Sequence, residues 1–100
     1  MAYRLEIHPE ATSDGRAAYA WYKERSSLVA EAFVAELDLA IERLQSSPLT
    51  WPSHVHGSRR YLLRRFPYGI VYFVDSEVVR IVAVAHTRRR PGYWKARLAR

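Results

Sequence analysis

The sequence predicts an α+β domain in which a helical hairpin packs on a mainly antiparallel four-stranded sheet, in the order β-α-α-β-β-β. Three observations predict it. Residues 28–46 carry one apolar stripe at helical spacing. Residues 68–74 and 78–86 are apolar on both faces, as central strands are. The short Asp75-Ser76-Glu77 link between them fits a hairpin.

Taken in order, Tyr3, Leu5 and Ile7 alternate with Arg4, Glu6 and His8, so residues 3–8 read as a half-buried strand. Pro9 ends it, and proline suits the first turn of the helix expected over 10–25. Ser26-Ser27 breaks that helix and offers a capping hydroxyl to the next. In the second helix Val29, Phe33, Leu37, Ala40, Ile41 and Leu44 form the stripe, and Ser47-Pro48 stops it. Residues 48–58, with two prolines and a glycine, read as a loop.

Residues 59–65 read as a strand, Phe66-Pro67 as a turn, and 68–74 and 78–86 as the next two strands. Local hairpins make the last three strands an antiparallel meander, which the first strand joins. Strict alternation in the final strand puts Val79, Ile81, Ala83 and Ala85 on one side and Val78, Val82 and Val84 on the other. Residues 93–100 read as a short terminal helix or a frayed tail. The expected core is Phe33, Leu37, Ile41, Leu44, Ile70, Tyr72, Ile81 and Ala83.

With 100 residues, a single domain over 1–100 is expected. The absence of cysteine excludes disulfides and thiolate metal sites. The longest apolar run, Ile70 to Val74, is too short to cross a bilayer, and the opening residues resemble no signal peptide, so a soluble cytoplasmic protein without membrane contact is expected. The charge is uneven. Residues 1–53 hold five Lys/Arg against eight Asp/Glu, whereas residues 54–100 hold eleven against two. The second half points to a polyanion or an acidic protein partner.

One segment combines the groups of a metal-independent RNA-cleaving site. His86 supplies an imidazole, a group able to give and take a proton. Arg88, Arg89 and Arg90 supply guanidiniums, which bind phosphate through charge-assisted bonds. Tyr93 and Trp94 supply rings of the kind that stack on unpaired bases. The plainer reading is a solvated basic tail with aromatics closing the core edge. A second basic group, Arg59, Arg60, Arg64 and Arg65, divides in a strand into Arg60 with Arg64 on one face and Arg59 with Arg65 on the other. It serves either phosphate binding or protection of a sheet edge. His54 and His56, with His8 and His86 elsewhere, do not make a zinc set, so no metal and no cofactor is expected. Trp21, Tyr22 and Trp51 read as core or rim rather than as a ligand cage.

These stretches resemble the RelE/ParE superfamily of toxins from type II toxin–antitoxin modules, over the whole chain. The resemblance is carried by His8-Pro9-Glu10-Ala11, by Trp21-Tyr22 with the Phe33–Leu44 stripe, and by Arg64 to Tyr72. It is most specific in Ala83-Val84-Ala85-His86-Thr87-Arg88-Arg89-Arg90-Pro91-Gly92-Tyr93-Trp94, which is similar to the closing signature of many plasmid-stabilisation members. The resemblance implies a growth-inhibiting toxin held in a hetero-oligomer by a cognate antitoxin. RelE-like members cleave messenger RNA on the ribosome, whereas ParE-like members inhibit DNA gyrase; a further alternative is a module that binds its antitoxin but is not toxic. For the first mechanism the resemblance implies His86, Arg89 and Tyr93 as catalytic groups, with Arg60, Arg64 and Arg88 on RNA phosphate. The nucleases carry an arginine directly after the tyrosine that matches Tyr68, where this chain has Gly69.

Overall fold

A computed structural model describes residues 3–99, so the sequence expectations for Met1, Ala2 and Arg100 lie outside the described residues. Strand β1 (Arg4–Ile7) leads into helices α1 (Pro9–Arg25) and α2 (Ser27–Ser46). A 3₁₀ turn (Val55–Gly57) precedes β2 (Arg59–Leu62), β3 (Tyr68–Asp75) and β4 (Val78–His86), and a 3₁₀ helix (Tyr93–Ala99) follows. The sheet order is β1-β4-β3-β2. The last three strands form the expected antiparallel meander, and β1 joins it parallel to β4, with Arg4 opposite Val78 and Ile7 opposite Ile81.

Local chemistry sets the element ends. His8 caps α1: its Nδ1 accepts the Glu10 N–H at 3.0 Å, and Pro9 occupies the first turn. A single residue, Ser26, separates the helices. Its backbone N–H donates to the Tyr22 carbonyl, closing α1, while its hydroxyl accepts from the Val29 N–H, opening α2. The β3–β4 hairpin turns at Ser76-Glu77, and the left-handed φ of 56° at Ser76 suits the first central position of a primed two-residue turn.

Two cores flank the sheet. Phe33, Leu44, Ile70, Tyr72, Val79 and Ile81 are buried between the helices and the sheet. On the other face Val71, Val82 and Ala83 are covered by Trp94, which is itself 1% exposed. The loop at 48–58 is fixed to the sheet by the Tyr72 hydroxyl, which donates to the Pro48 carbonyl at 2.6 Å. Arg59 adds to this by donating to the Leu49 and Trp51 carbonyls.

Four expectations are corrected. The face assignment along β4 fails at Ala83, because Val71 pairs with Ala83 and Tyr72 with Ile81, leaving Val82 as a bulge. The extra residue inverts the alternation beyond it. Ala83 therefore joins Val82 and Trp94 on the far face, while Val84 turns toward the helices. Leu37 and Ile41 are half-buried, since they wall an open groove. Strand β2 stops at Leu62, so Arg64 and Arg65 are not strand residues. Their backbone N–H groups both donate to the Glu36 carboxylate on α2, which also accepts from Arg65 Nε at 3.1 Å. Burial acts to raise the Glu36 pKa, but these donors outweigh it and leave it below the ordinary carboxylate range. The strand expected over 3–8 is limited to Arg4–Ile7, because His8 turns out to cap α1.

Beyond Ile81 no described strand covers this edge of β4, and one ion pair takes up its backbone groups. Arg97 Nη1 donates to the Val82 carbonyl at 2.9 Å, and Asp14 Oδ2 accepts the Val84 N–H at 3.0 Å. Arg97 and Asp14 meet through two bonds, at 2.7 and 3.1 Å. Truncating Phe33 or Ile81 to alanine is expected to cost about 2–5 kcal/mol each in urea unfolding. Arg97→Ala leaves the Asp14 carboxylate with no cation and is expected to cost about 3–5 kcal/mol. A loss below about 1 kcal/mol in Arg97→Ala would contradict the role given to the pair.

Candidate functional site

The strand that carries His86 ends beside α1, and a cleft of about 460 Å³ lies between them. One wall is the face of α1 that presents Asp14, Ala17, Ala18, Trp21 and Tyr22, at the three- and four-residue spacing of a helix. Pro67 and Tyr68 form the floor at the start of β3, and His86, Arg89 and Tyr93 form the opposite wall. Three of the six residues singled out in the sequence therefore come together.

His86 pairs with Tyr68 across the sheet, and the two rings meet edge to face at 5.1 Å. Its Nδ1 accepts the Arg88 N–H at 3.1 Å. The Arg89 N–H donates to the His86 carbonyl, which holds the turn close to the strand end. The Arg89 guanidinium then lies 3.8 Å over the Tyr93 ring, and the Arg97 guanidinium stands 5.4 Å from the same ring. Burial and the Asp14 carboxylate push the Tyr93 phenol above its ordinary range, against the opposite pull of Arg97 and Arg89. Burial raises the Tyr68 phenol as well. At the rim, Trp21 is 51% exposed, but the Arg25 guanidinium covers its ring at 3.6 Å.

The other three residues lie elsewhere. Arg88 contributes its backbone N–H to the site, and its side chain does not line the cleft. Arg60 lines a separate groove with Trp51, Pro52, Ser53 and Leu62. Its stem runs across Gly69, where an added Cβ would sit 3.1 Å from both Cγ and Cδ of Arg60. Arg64 lines a groove on α2 with Leu39 and Arg43. The expected shared face of Arg60 and Arg64 is lost because β2 ends between them.

Sequence reasoning missed Asp14, Tyr68 and Arg97 as parts of the site. The helical spacing of Asp14, Ala18 and Trp21 carried a signal for one wall; nothing local carried one for Arg97. Among the described residues no group of three or more His, Cys, Asp or Glu side chains is placed to hold a metal ion. His54 and His56 instead pack in the loop, where the His56 ring meets Trp94 edge to face at 5.9 Å. Trp51 packs on Tyr61 and Tyr22 on Phe33, as core or rim rings do. No described helix is long and apolar enough to cross a membrane.

A second concavity, of about 380 Å³, opens between the two helices and the β1–β4 edge. It is almost wholly apolar, with Ile7, Ala11, Val34, Leu37, Ile41 and Val84 among its walls.

The family model described as the ParE toxin of type II toxin–antitoxin systems, parDE, matches residues 5–91. Among solved structures, the chain is similar to the chromosomal ParDE toxin–antitoxin system of P. aeruginosa. The TM-score is 0.75 at 20% identity, over 85% of this chain and 96% of that one. It is also similar to a mutant of the E. coli toxin RelE, with two arginines replaced by alanine, in the free state. There the TM-score is 0.58 at 20% identity, over 99% of this chain and 93% of that one. At such identities the structures speak for the fold. A comparison with curated proteins gives no match.

The raised phenols set an alkaline dependence. A phenol whose pKa is higher in the folded state holds its proton where the unfolded chain has lost it. Its contribution is then complete below pH about 10 and declines as pH rises further. Tyr72, pushed up to about 12 by burial, acts in the same sense. Unfolding free energy is expected to fall above pH 10, and less steeply in Tyr93→Phe. A Tyr93 phenol that ionises below pH 10 in an ultraviolet titration of wild type against Tyr93→Phe would contradict the site geometry.

Proposed function

Since the chain belongs to the ParE toxin family of type II toxin–antitoxin systems, we propose that it arrests growth by binding and inhibiting DNA gyrase. In this reading residues 1–100 act as one toxin domain in the cytoplasm, and a cognate antitoxin holds that domain inactive in a hetero-oligomer. The observation that carries the choice of binding over RNA cleavage is the state of the cleft's rings and cations. Stacking on an unpaired base needs an open aromatic face. One face of Trp21 and one face of Tyr93 are each already taken by a guanidinium of the chain itself. Stabilising a phosphorane needs cations aimed at the reacting phosphate. Arg97 is bound to Asp14, and Gly69 stands where the resembling nucleases carry an arginine. The Tyr68 and Tyr93 phenols, both raised, are poor bases near neutral pH.

One observation favours a second reading, ribosome-dependent cleavage of messenger RNA. His86, Arg89 and Tyr93 do line a single cleft. In that reading Arg60, Arg64 and Arg88 bind RNA phosphate outside it.

For the antitoxin, the apolar groove between the helices and β1 is the natural seat. Its walls are exposed hydrophobic surface, Ile7 at 44% and Val34 at 36%, and an amphipathic segment would bury them.

Purified toxin is expected to inhibit supercoiling of relaxed plasmid by gyrase and to leave messages on programmed ribosomes intact. Cleavage that His86→Ala or Arg89→Ala weakens by about a hundredfold would establish the second reading instead. Val34→Asp places a charge in the groove without emptying the core. It is expected to weaken capture by the antitoxin encoded beside the toxin by about thirtyfold or more, the loss of one hot-spot contact. Unchanged affinity would move the antitoxin off this groove.

A further inference from the structure

We infer that the turn following β4 binds the phosphate backbone of duplex DNA. Its place in toxin action rests on the gyrase reading, since gyrase works on duplex DNA, but the contact itself is a property of the toxin alone.

Arg88, Arg90 and Lys95 are exposed, as is Arg89, whose guanidinium lies over the Tyr93 ring. None of them takes part in an ion pair among the described residues. By contrast Arg97, in the same segment, is buried and bound to Asp14. Residues 78–99 contain no aspartate or glutamate. The acids of the meander, Asp75 and Glu77, sit at the other end of the nine-residue β4, about 30 Å away at the rise of an extended strand. The sheet is thus polarised along its length, with unpaired cations gathered at one end.

Those cations stand on a rigid mount. Thr87 N–H donates to the Pro67 carbonyl, Arg88 N–H to His86 Nδ1, and Arg89 N–H to the His86 carbonyl. Beyond the turn, Tyr93 N–H donates to the Arg90 carbonyl and Lys95 N–H to that of Gly92. Trp94, wedged into the far core, anchors the segment. Backbone order of this kind lowers the entropy lost when the side chains bind.

The kind of polyanion follows from what the turn lacks. Single strands are held by cations together with open aromatic faces. Here Trp94 is buried and the Tyr93 ring lies beneath Arg89. Cations without a free stacking face suit the regular phosphates of a duplex, which are read by charge alone.

The test is binding of the full-length toxin to a fluorescent 20-base-pair duplex between 50 and 200 mM salt. Three phosphate contacts correspond to an affinity loss of about fortyfold over that range. Arg88→Ala, Arg90→Ala and Lys95→Ala together are expected to reduce the loss to less than about twofold. A charge-matched control, Arg4→Ala with Lys23→Ala and Arg43→Ala, should retain it. Three outcomes would overturn the proposal: an equal effect of the control, which would mean net charge alone; tighter binding of poly-L-glutamate at equal salt, which would mean an acidic protein partner; or tighter binding of the single-stranded probe. Supercoiling is measured alongside. A toxin that shows the expected salt dependence but leaves gyrase unaffected would sink the gyrase reading while the duplex contact stands.

Discussion

The ion pair between Asp14 and Arg97 is the constraint on which the rest of the structure depends. It joins three pieces that the chain connects only distantly: α1, the bulged segment of β4 and the terminal 3₁₀ helix. Where β1 ends, the bulged segment of β4 keeps backbone groups without ladder partners, and such groups are costly when buried. Arg97 and Asp14 take up the two that face α1. Removing two charges from water is itself costly, so a buried pair stabilises only when its remaining donors and acceptors are satisfied. Here Arg97 also reaches Glu10 through Nε at 3.6 Å. Both walls of the cleft are held by this one junction, since Asp14 belongs to the first and Tyr93, four residues before Arg97, to the second.

The elements were legible because each has a local cause. Period two marked β1, the apolar stripe marked α2, and two-faced hydrophobicity marked β3 and β4. What stayed hidden depends on contacts distant in sequence. No local pattern announces a bulge at Val82, so the face of Ala83 was misplaced. Leu37 and Ile41 belong to the stripe yet wall a groove, because a stripe gives a direction and not the distance to the neighbouring layer. The end of β2 at Leu62 is set by Glu36, 28 residues before Arg64, which captures the chain as it leaves the sheet. For the site, His86, Arg89 and Tyr93 were legible because one strand end and one turn bring them together. Arg60 and Arg64 were placed on one face only by assuming a longer strand.

Arginine serves several separate purposes in this chain. Arg59 and Arg97 bind carbonyls and hold the fold. Arg25 and Arg89 cover aromatic rings. Arg60 lays its stem over Gly69, using the space that a side chain at that position would fill. Arg88 and Arg90, at the turn after β4, are exposed and take part in no ion pair among the described residues. A count of basic residues therefore overstates the cationic surface, and their individual contacts decide which remain open to a partner.

The parallel pairing of β1 with β4 has a consequence for biosynthesis. The edge strand must wait for Val78 before it finds its neighbour, and Asp14 must wait 83 residues for Arg97. At roughly 5–20 residues per second, that second interval lasts about 4–17 s. Until it ends, the cleft lacks the Asp14–Arg97 junction that holds its two walls. A cleft built this way stays incomplete until the final segment emerges, which gives an antitoxin translated nearby time to arrive.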